Sequence, residues 1–403
     1  MISRGYSTLQ HVETPLLTSC CVARGNMPTL CRSVFPAMNP PLKVDLAELD
    51  LTELTEAVVT SGGEPFNARQ IAHWIYCRGV TNFAQMTDLS VALRKIFAET
   101  FTVSTPNIER SERSTDGTTK LLLGLADGRQ IEAVFIPDTP GKTFCISTQV
   151  GCAMQCGFCL TGKMGLARHL SAGEIVGQIR VLVQEFELID STFNVVLMGM
   201  GEPLHNYDAV MKALHVLTDP NGIAMPARRI TLSTIGLIPA LKRLATASVM
   251  PNLAVSLHAT TEALRNQLVP MNKKYSLKDL MEVCRHFPVR RRDQITFEYV
   301  LLAGINDSMA DAVRLAALLS GMPAKVNVIP LNEAPGIPFR RPSDLQINRF
   351  CRSLADRGVT VMVRKSRGRD IRAACGQLIV DSPRPSTAQQ VATQLGLHHH
   401  TSD

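Results

Sequence analysis

The densest reactive chemistry in the chain is Gly151-Cys152-Ala153-Met154-Gln155-Cys156-Gly157-Phe158-Cys159, where three thiols are separated by three and then by two residues. Soft sulfur donors at this density select zinc or an iron–sulfur cluster. A structural zinc site takes four protein ligands, usually as two separated pairs, and this loop supplies a single group of three. A 4Fe-4S cubane held by three cysteines leaves one iron open to an outside ligand. Zinc completed by a distant histidine, and a cysteine-rich loop without metal, are the competing readings. The ligand count favours a cluster on Cys152, Cys156 and Cys159.

Further polar groups follow apolar runs. In Gly199-Met200-Gly201-Glu202-Pro203 the glycines let backbone approach a ligand, and Glu202 can accept from an ammonium group. The third glycine of a dinucleotide fingerprint would fall on Leu204, which excludes a Rossmann phosphate loop. Thr231-Leu232-Ser233-Thr234-Ile235-Gly236, Ser256-Leu257-His258 and Asn327-Val328-Ile329-Pro330-Leu331-Asn332 each place small polar groups at the end of a predicted strand. One such group is ordinarily a cap or a satisfied core residue, but several at successive strand ends form a ligand cradle. Two more cysteines stand apart. Cys145 precedes the triplet, and Cys375 lies among Arg367, Arg369 and Arg372 with Gly376 after it, a setting that favours thiolate and close approach. Cys77, Cys284 and Cys351 read as small buried hydrophobes.

These groups need a scaffold, and its period is visible. Apolar runs at 194–198, 229–233, 253–257, 296–302, 325–329 and 360–363 alternate with helical spans. That pattern predicts an α/β domain over residues 141–380, a parallel sheet in a partial TIM-like (β/α) barrel with its site at the strand C-termini. Residues 42–105 read as a small helical accessory domain, with stretches opening at Asp45-Leu46 and at Ala68-Arg69, and residues 106–140 as a bridging β-hairpin turning at Asp127-Gly128. Residues 1–41, rich in Ser, Thr and Arg, read as a disordered or mis-annotated extension in preference to a transit peptide, and residues 381–403 as a flexible tail whose His398-His399-His400 is inert. A chain of 403 residues with 45% apolar content can bury a large core. Its net charge of +7 is only a weak hint of an anionic partner. Eleven cysteines, an odd number without disulfide-scaffold spacing, suit a reducing cytosol, and no apolar run is long enough to span a bilayer.

The triplet, with Phe158 before its third cysteine and the Gly201-Glu202 motif, resembles the radical S-adenosylmethionine superfamily. The whole constellation, from about Leu46 to Val380 and including Trp74-Ile75-Tyr76, is similar to the dual-specificity adenine-C2 methyltransferases acting on 23S rRNA and tRNA. That resemblance implies a 4Fe-4S cluster and two molecules of S-adenosyl-L-methionine per turnover. One methylates Cys375, and the other is cleaved to a radical that removes hydrogen from the S-methyl group. The resulting carbon radical adds to adenine C2 and ties the RNA to Cys375, and Cys145 resolves the adduct through a disulfide, with Glu132 as proton acceptor. It also implies that Gly201, Glu202, Ser233, Ser256, Leu257, His258 and Asn332 hold the cofactor. An external one-electron donor such as flavodoxin or ferredoxin, a monomeric state and a cytoplasmic location go with it. Basic segments at Arg290-Arg291-Arg292, Arg340-Arg341 and from Arg364 to Arg372 would hold RNA phosphates. Three alternatives remain open: adenine-C8 methylation on the same fold, a radical enzyme acting on a small molecule or partner protein, and a non-catalytic RNA-binding protein with a structural metal centre.

Overall fold

The computed structural model describes residues 43–137, 141–189, 191–290 and 293–380. The expectations for residues 1–41 and 381–403, and for Arg291 and Arg292, lie outside the described residues.

The helical module begins with α1, Leu51–Thr60, one turn later than the pattern at Asp45-Leu46 predicts. The reason is its cap. Asp50 accepts from the Glu53 N–H at 3.0 Å while Glu53 accepts from the Asp50 N–H at 2.9 Å, a reciprocal pair that fixes the helix start. Residues Leu46–Glu48 form only a short 3-10 turn. The second helix, α2, Pro65–Ala72, opens on a proline whose missing N–H costs nothing there, and it passes into a π-helical turn over His73–Cys77. The third, α3, spans Val91–Thr100. Leu54 and Val58 on α1, Ile71 on α2 and Ile75 after it meet Phe97 on α3 in a separate small core. The spacing of four within each pair puts both side chains on one helical face.

The main sheet has ten strands. They are β1 (Asn107–Arg113), β2 (Thr119–Gly124), β3 (Gln130–Ile136), β4 (Thr143–Cys145) and β5 (Asn194–Leu197), then β6 (Ile230–Thr234), β7 (Asn252–Ser256), β8 (Ile295–Leu301), β9 (Ala324–Pro330) and β10 (Thr360–Val363). Each pairs with its predecessor in the chain, so the spatial order is the chain order. From β4 to β10 the pairings are parallel, as the alternation with helices predicts. The first three strands pair antiparallel, and β3 pairs antiparallel with β4, which makes the expected hairpin continuous with the barrel sheet. The strand β1 is not visible in the hydrophobic pattern because its sequence, Asn-Ile-Glu-Arg-Ser-Glu-Arg, is polar and exposed, as suits a sheet edge.

The strand β8 is buried on both faces, while β5 and β6 alternate buried with half-buried positions. Leu232, Val255, Phe297 and Val326 hold successive parallel strands in one continuous core. The helical module is fastened to this domain through Glu48, whose carboxylate accepts from the Ser171 hydroxyl and from the Gly173 N–H at the start of helix Ala172–Glu185. Among the described residues no helix is long and apolar enough to cross a membrane. Truncating Phe297, fully buried at the centre of the sheet, in Phe297→Ala is expected to cost about 3–5 kcal/mol and to lower the thermal unfolding midpoint, read by calorimetry.

Candidate active site

The three-thiol loop is shaped by a short antiparallel pair, Gln149–Cys152 with Gly165–His169. Gly151 has a φ of +78°, and a Cβ there would lie 1.9 Å from the Gly165 carbonyl oxygen, so no other residue fits this crossing. The loop is held from two sides. Gly157 N–H donates to the Leu268 carbonyl at 3.0 Å. On the other side Leu160 N–H donates to the Gly376 carbonyl at 2.8 Å and the Thr161 hydroxyl to the Leu378 carbonyl at 2.6 Å. The segment carrying Cys375 is thereby docked directly on the loop carrying the triplet.

Between them lies a cavity of about 150 Å³ at the C-terminal ends of the strands. Cys152, Cys156 and Cys159 line it, and Cys375 lines it too. So do Gly201, Glu202, Ser233, Ser256, His258 and Asn332, which the sequence assigned to a cradle. Leu257 is the exception: it is buried in the core, and its backbone is fully engaged. Its N–H donates to the Glu298 carbonyl at 3.0 Å, and its own carbonyl accepts from Arg265 Nε at 3.1 Å and Ala259 N–H at 2.8 Å.

The electrostatics of this cavity call for cationic and hydrogen-bonding guests. Glu202 is buried and accepts from the backbone N–H groups of Leu204 and Ile235 at 3.2 and 3.0 Å, and among the described residues no Lys or Arg pairs with it. Burial pushes its carboxyl up to about 7. A buried carboxylate of this kind fits an ammonium group. Asn332 donates to the Cys375 carbonyl at 3.2 Å, while its side-chain oxygen is buried with no hydrogen-bond partner, an acceptor open to a hydroxyl. Burial, Glu202 and Cys159 push the Cys152 thiol up to about 12, and burial together with the neighbouring thiols also raises Cys156. Three such thiols ionise together only around a group of high positive charge, and the donor set fits an iron–sulfur cluster. Opposite stands Phe158, its ring edge-on to His258 with centroids 4.7 Å apart. His258 takes a φ of +58° and accepts from the Val300 N–H at 3.1 Å through Nδ1.

A larger groove of about 580 Å³ adjoins this cavity and shares Cys375, Asn332, Glu298 and Arg364 with it. Cys145, at the end of β4, lines the groove with Cys375, so the two lone thiols meet in one space. Burial, then the proximity of Cys375, push the Cys145 thiol up to about 12, partly offset by Arg364. Arg364 itself is held protonated chiefly by Cys375, with help from Glu298 and Cys145. Glu132 stands elsewhere. It is buried on β3, 3.0 Å from Lys120 Nζ, accepts from the Ile379 N–H at 2.9 Å, and lines neither cavity.

The basic segments divide. Arg364 and Arg367 line the groove, joined by Arg228, Arg229, Lys325 and Lys365, of which Arg228, Arg229 and Lys325 were not singled out by sequence. Each of those three sits near the start of a strand, where apolar-run reading marks an element boundary and not a charge. Arg290 instead pairs with Asp293, and Arg341 pairs with Asp344 at 2.7 Å. Glu298 was also missed, although an acid inside the apolar run of β8 is itself a signal of a polar interior.

A parallel sheet ending in a three-thiol loop, with a carboxylate and small polar groups around it, defines a radical S-adenosylmethionine enzyme. The radical SAM superfamily model matches residues 146–316, and the model of the ribosomal RNA large subunit methyltransferase N-terminal domain matches residues 44–103. The chain belongs to the dual-specificity RNA methyltransferase RlmN family. It is 48% identical over 86% of its length to the RlmN protein of Geobacter sulfurreducens, covering 95% of that protein. With the RlmN protein of Pelobacter propionicus it is 47% identical, over 83% of this chain and 96% of that one. A crystal structure of a radical SAM methyltransferase from Sphaerobacter thermophilus superposes with a TM-score of 0.79 at 44% identity, covering 83% of this chain and 99% of that one.

The environment of His258 has a measurable consequence. Burial, and then the Arg265 charge, depress its pKa from 6.5 to about 3. The folded state therefore refuses a proton that the unfolded state takes, so this contribution is complete above 6.5 and is lost as pH falls toward 3. His258→Asn, which keeps an acceptor for the Val300 N–H, is expected to flatten the fall of thermal midpoint between about pH 7 and about pH 4 relative to the parent chain.

Proposed function

We propose that this RNA methyltransferase adds a methyl group to C2 of an adenine in 23S rRNA and in tRNA, with Cys375 as methyl carrier and Cys145 as resolving thiol. The observation that carries this reading is the double exposure of Cys375. It lines the cavity of the three cluster cysteines on one side and the basic groove with Cys145 on the other.

Cys152, Cys156 and Cys159 would hold the 4Fe-4S cluster, and Glu202, Gly201, Ser233, Ser256, His258 and Asn332 would hold S-adenosyl-L-methionine in the cavity beside it. Leu257 would serve only by spacing Ser256 from His258. When bound, these groups supply an electrophilic methyl and, after one-electron reduction, a radical strong enough to take hydrogen from a thioether. The protein's own steps follow from placement. The Cys375 sulfur, attacking as thiolate with Arg364 in the same lining, displaces the sulfonium and takes the methyl group. The methyl carbon, after loss of hydrogen, bonds adenine C2, and once the adduct has given the C2 proton to a base and one electron back to the centre that Cys152, Cys156 and Cys159 would hold, the RNA remains tied to Cys375. The Cys145 sulfur then attacks the Cys375 sulfur, the carbon departs with the electron pair and takes up a proton as product methyl, and a Cys145–Cys375 disulfide remains.

The adenine C2 proton goes to a base, and we assign Glu132, whose carboxyl is made more basic by burial in spite of Lys120. Because Glu132 lies behind the segment of Cys375 and does not line the groove, the proton must pass through an intervening group. The basic lining by Arg228, Arg229, Lys325, Lys365 and Arg367 supports phosphate contacts while one base is turned inward. An external flavodoxin or ferredoxin as electron donor, a monomeric state and a cytoplasmic location complete the reading.

Anaerobic reconstitution with methyl-labelled cofactor and RNA tests it. Cys375→Ala is expected to yield no methylated RNA, and Cys145→Ala to accumulate RNA bound covalently to protein, seen as a mass shift on denaturing gels. Digestion to nucleosides should give 2-methyladenosine by mass spectrometry. Finding only 8-methyladenosine, or full turnover by Cys375→Ala, would overturn the assignment.

A further inference from the structure

The largest fully buried side chain in the described protein is a charged one, Arg265, only 1% exposed. It projects from helix Glu262–Leu268, and every arm of its guanidinium is engaged. Nη2 donates to the carbonyls of Ile235 at 2.8 Å and Ser256 at 3.1 Å, Nε to that of Leu257 at 3.1 Å, and Nη1 to Asn272 Oδ1 at 2.7 Å. Three of the four acceptors are backbone carbonyls at the C-terminal ends of β6 and β7, where Ser233, Ser256 and His258 are presented. The Ile235 peptide is shared: its carbonyl is held by Arg265 while its N–H is donated to Glu202 at 3.0 Å.

The counter-charge is kept at a distance. Asn272 stands between, donating to Glu262 Oε2 at 2.7 Å while accepting from Arg265, and among the described residues no carboxylate pairs with the guanidinium directly. The same helix bears on the three-thiol loop through the Leu268 carbonyl, which accepts from the Gly157 N–H at 3.0 Å, next to Cys156. The Arg265 charge also acts on Cys156, opposing the effect of its burial. A buried cation without a paired anion is costly to maintain, and its field is little screened by water.

We infer that Arg265 is a positioning residue with two tasks: it fixes the strand ends of the cofactor cradle, and its unpaired charge beside Cys156 favours the reduced, more negative state of the cluster. The inference rests on the cluster assignment made above. Added electrons are stabilised by nearby positive charge and by hydrogen bonding around the cluster, which is how protein surroundings set such potentials. Lys in this place would keep the charge but could not span three carbonyls and a side-chain oxygen, whereas Gln would lose the charge.

The test uses the full chain, reconstituted anaerobically, with iron and sulfide content measured first and the cluster then titrated by electron paramagnetic resonance against mediators. Arg265→Gln is expected to lower the reduced-to-oxidised ratio at a fixed potential by tenfold or more, equivalent to about 59 mV for one electron. Arg265→Lys should stay within threefold of the parent ratio yet bind S-adenosylmethionine several-fold more weakly in equilibrium dialysis. Asn272→Asp sets a carboxylate against the guanidinium without removing it, so it should shift the ratio in the direction of Arg265→Gln and decides the matter if that variant does not fold. An unchanged potential in Arg265→Gln, or in Asn272→Asp where only that chain folds, overturns the charge role. Unchanged cofactor binding in Arg265→Lys overturns the positioning role. A parent chain that takes up no iron and sulfide would overturn the cluster assignment as well.

Discussion

The architecture depends on the docking of one irregular segment onto another. Leu160 N–H bonds the Gly376 carbonyl, the Thr161 hydroxyl bonds the Leu378 carbonyl, and Asn332 bonds the Cys375 carbonyl. These bonds use backbone groups that a loop would otherwise leave to water, and they bring Cys375 against the three-thiol loop without sequestering its sulfur. The neighbouring contacts serve the same docking. Glu132 is spent on the Ile379 N–H and on Lys120, and Asp370 accepts from the Ser114 hydroxyl at 2.6 Å, which secures the far end of the segment to the antiparallel edge. Gly376, at a φ of +79°, allows the chain to reverse where a Cβ would approach the Phe158 carbonyl at 3.2 Å.

The second constraint is charge. The cofactor cavity holds two carboxylates, Glu202 and Glu298, with Arg364 at its border with the groove, while the groove is lined by several cations. One chain thus separates a region suited to an ammonium and a cluster from one suited to phosphates. Cys375 lies on the boundary.

Most of the barrel was legible in the sequence because its strands are short apolar runs of one period, and the runs at 194–198 and 360–363 coincide with β5 and β10 to within a residue. The three-thiol loop was legible as a candidate site because thiol spacing is a local property. What escaped notice shares a physical character. The polar edge strand β1 carries no hydrophobic signal, the 3-10 turn at Leu46–Glu48 has the period of a helix and a cap at Asp45 but ends at the extended backbone of Leu49, and Arg228, Arg229, Lys325 and Glu298 owe their meaning to neighbours far away in the chain. Leu257 was placed by resemblance together with Ser256 and His258, and its side chain is buried in the core. Glu132 was placed by resemblance, and geometry sets it behind the reactive segment.

The strict chain order of the sheet bears on how the protein is made. Each strand of this sheet pairs with the sheet strand that precedes it, so the sheet can grow by successive additions as the chain emerges. The one closure that spans most of the domain is the last: Ile379 must return to Glu132, 247 residues earlier, and Asp370 to Ser114, 256 residues earlier. A nascent chain can therefore assemble its barrel and its three-thiol loop before Cys375 is delivered, and the segment of Cys375 closes onto the sheet as its final latch.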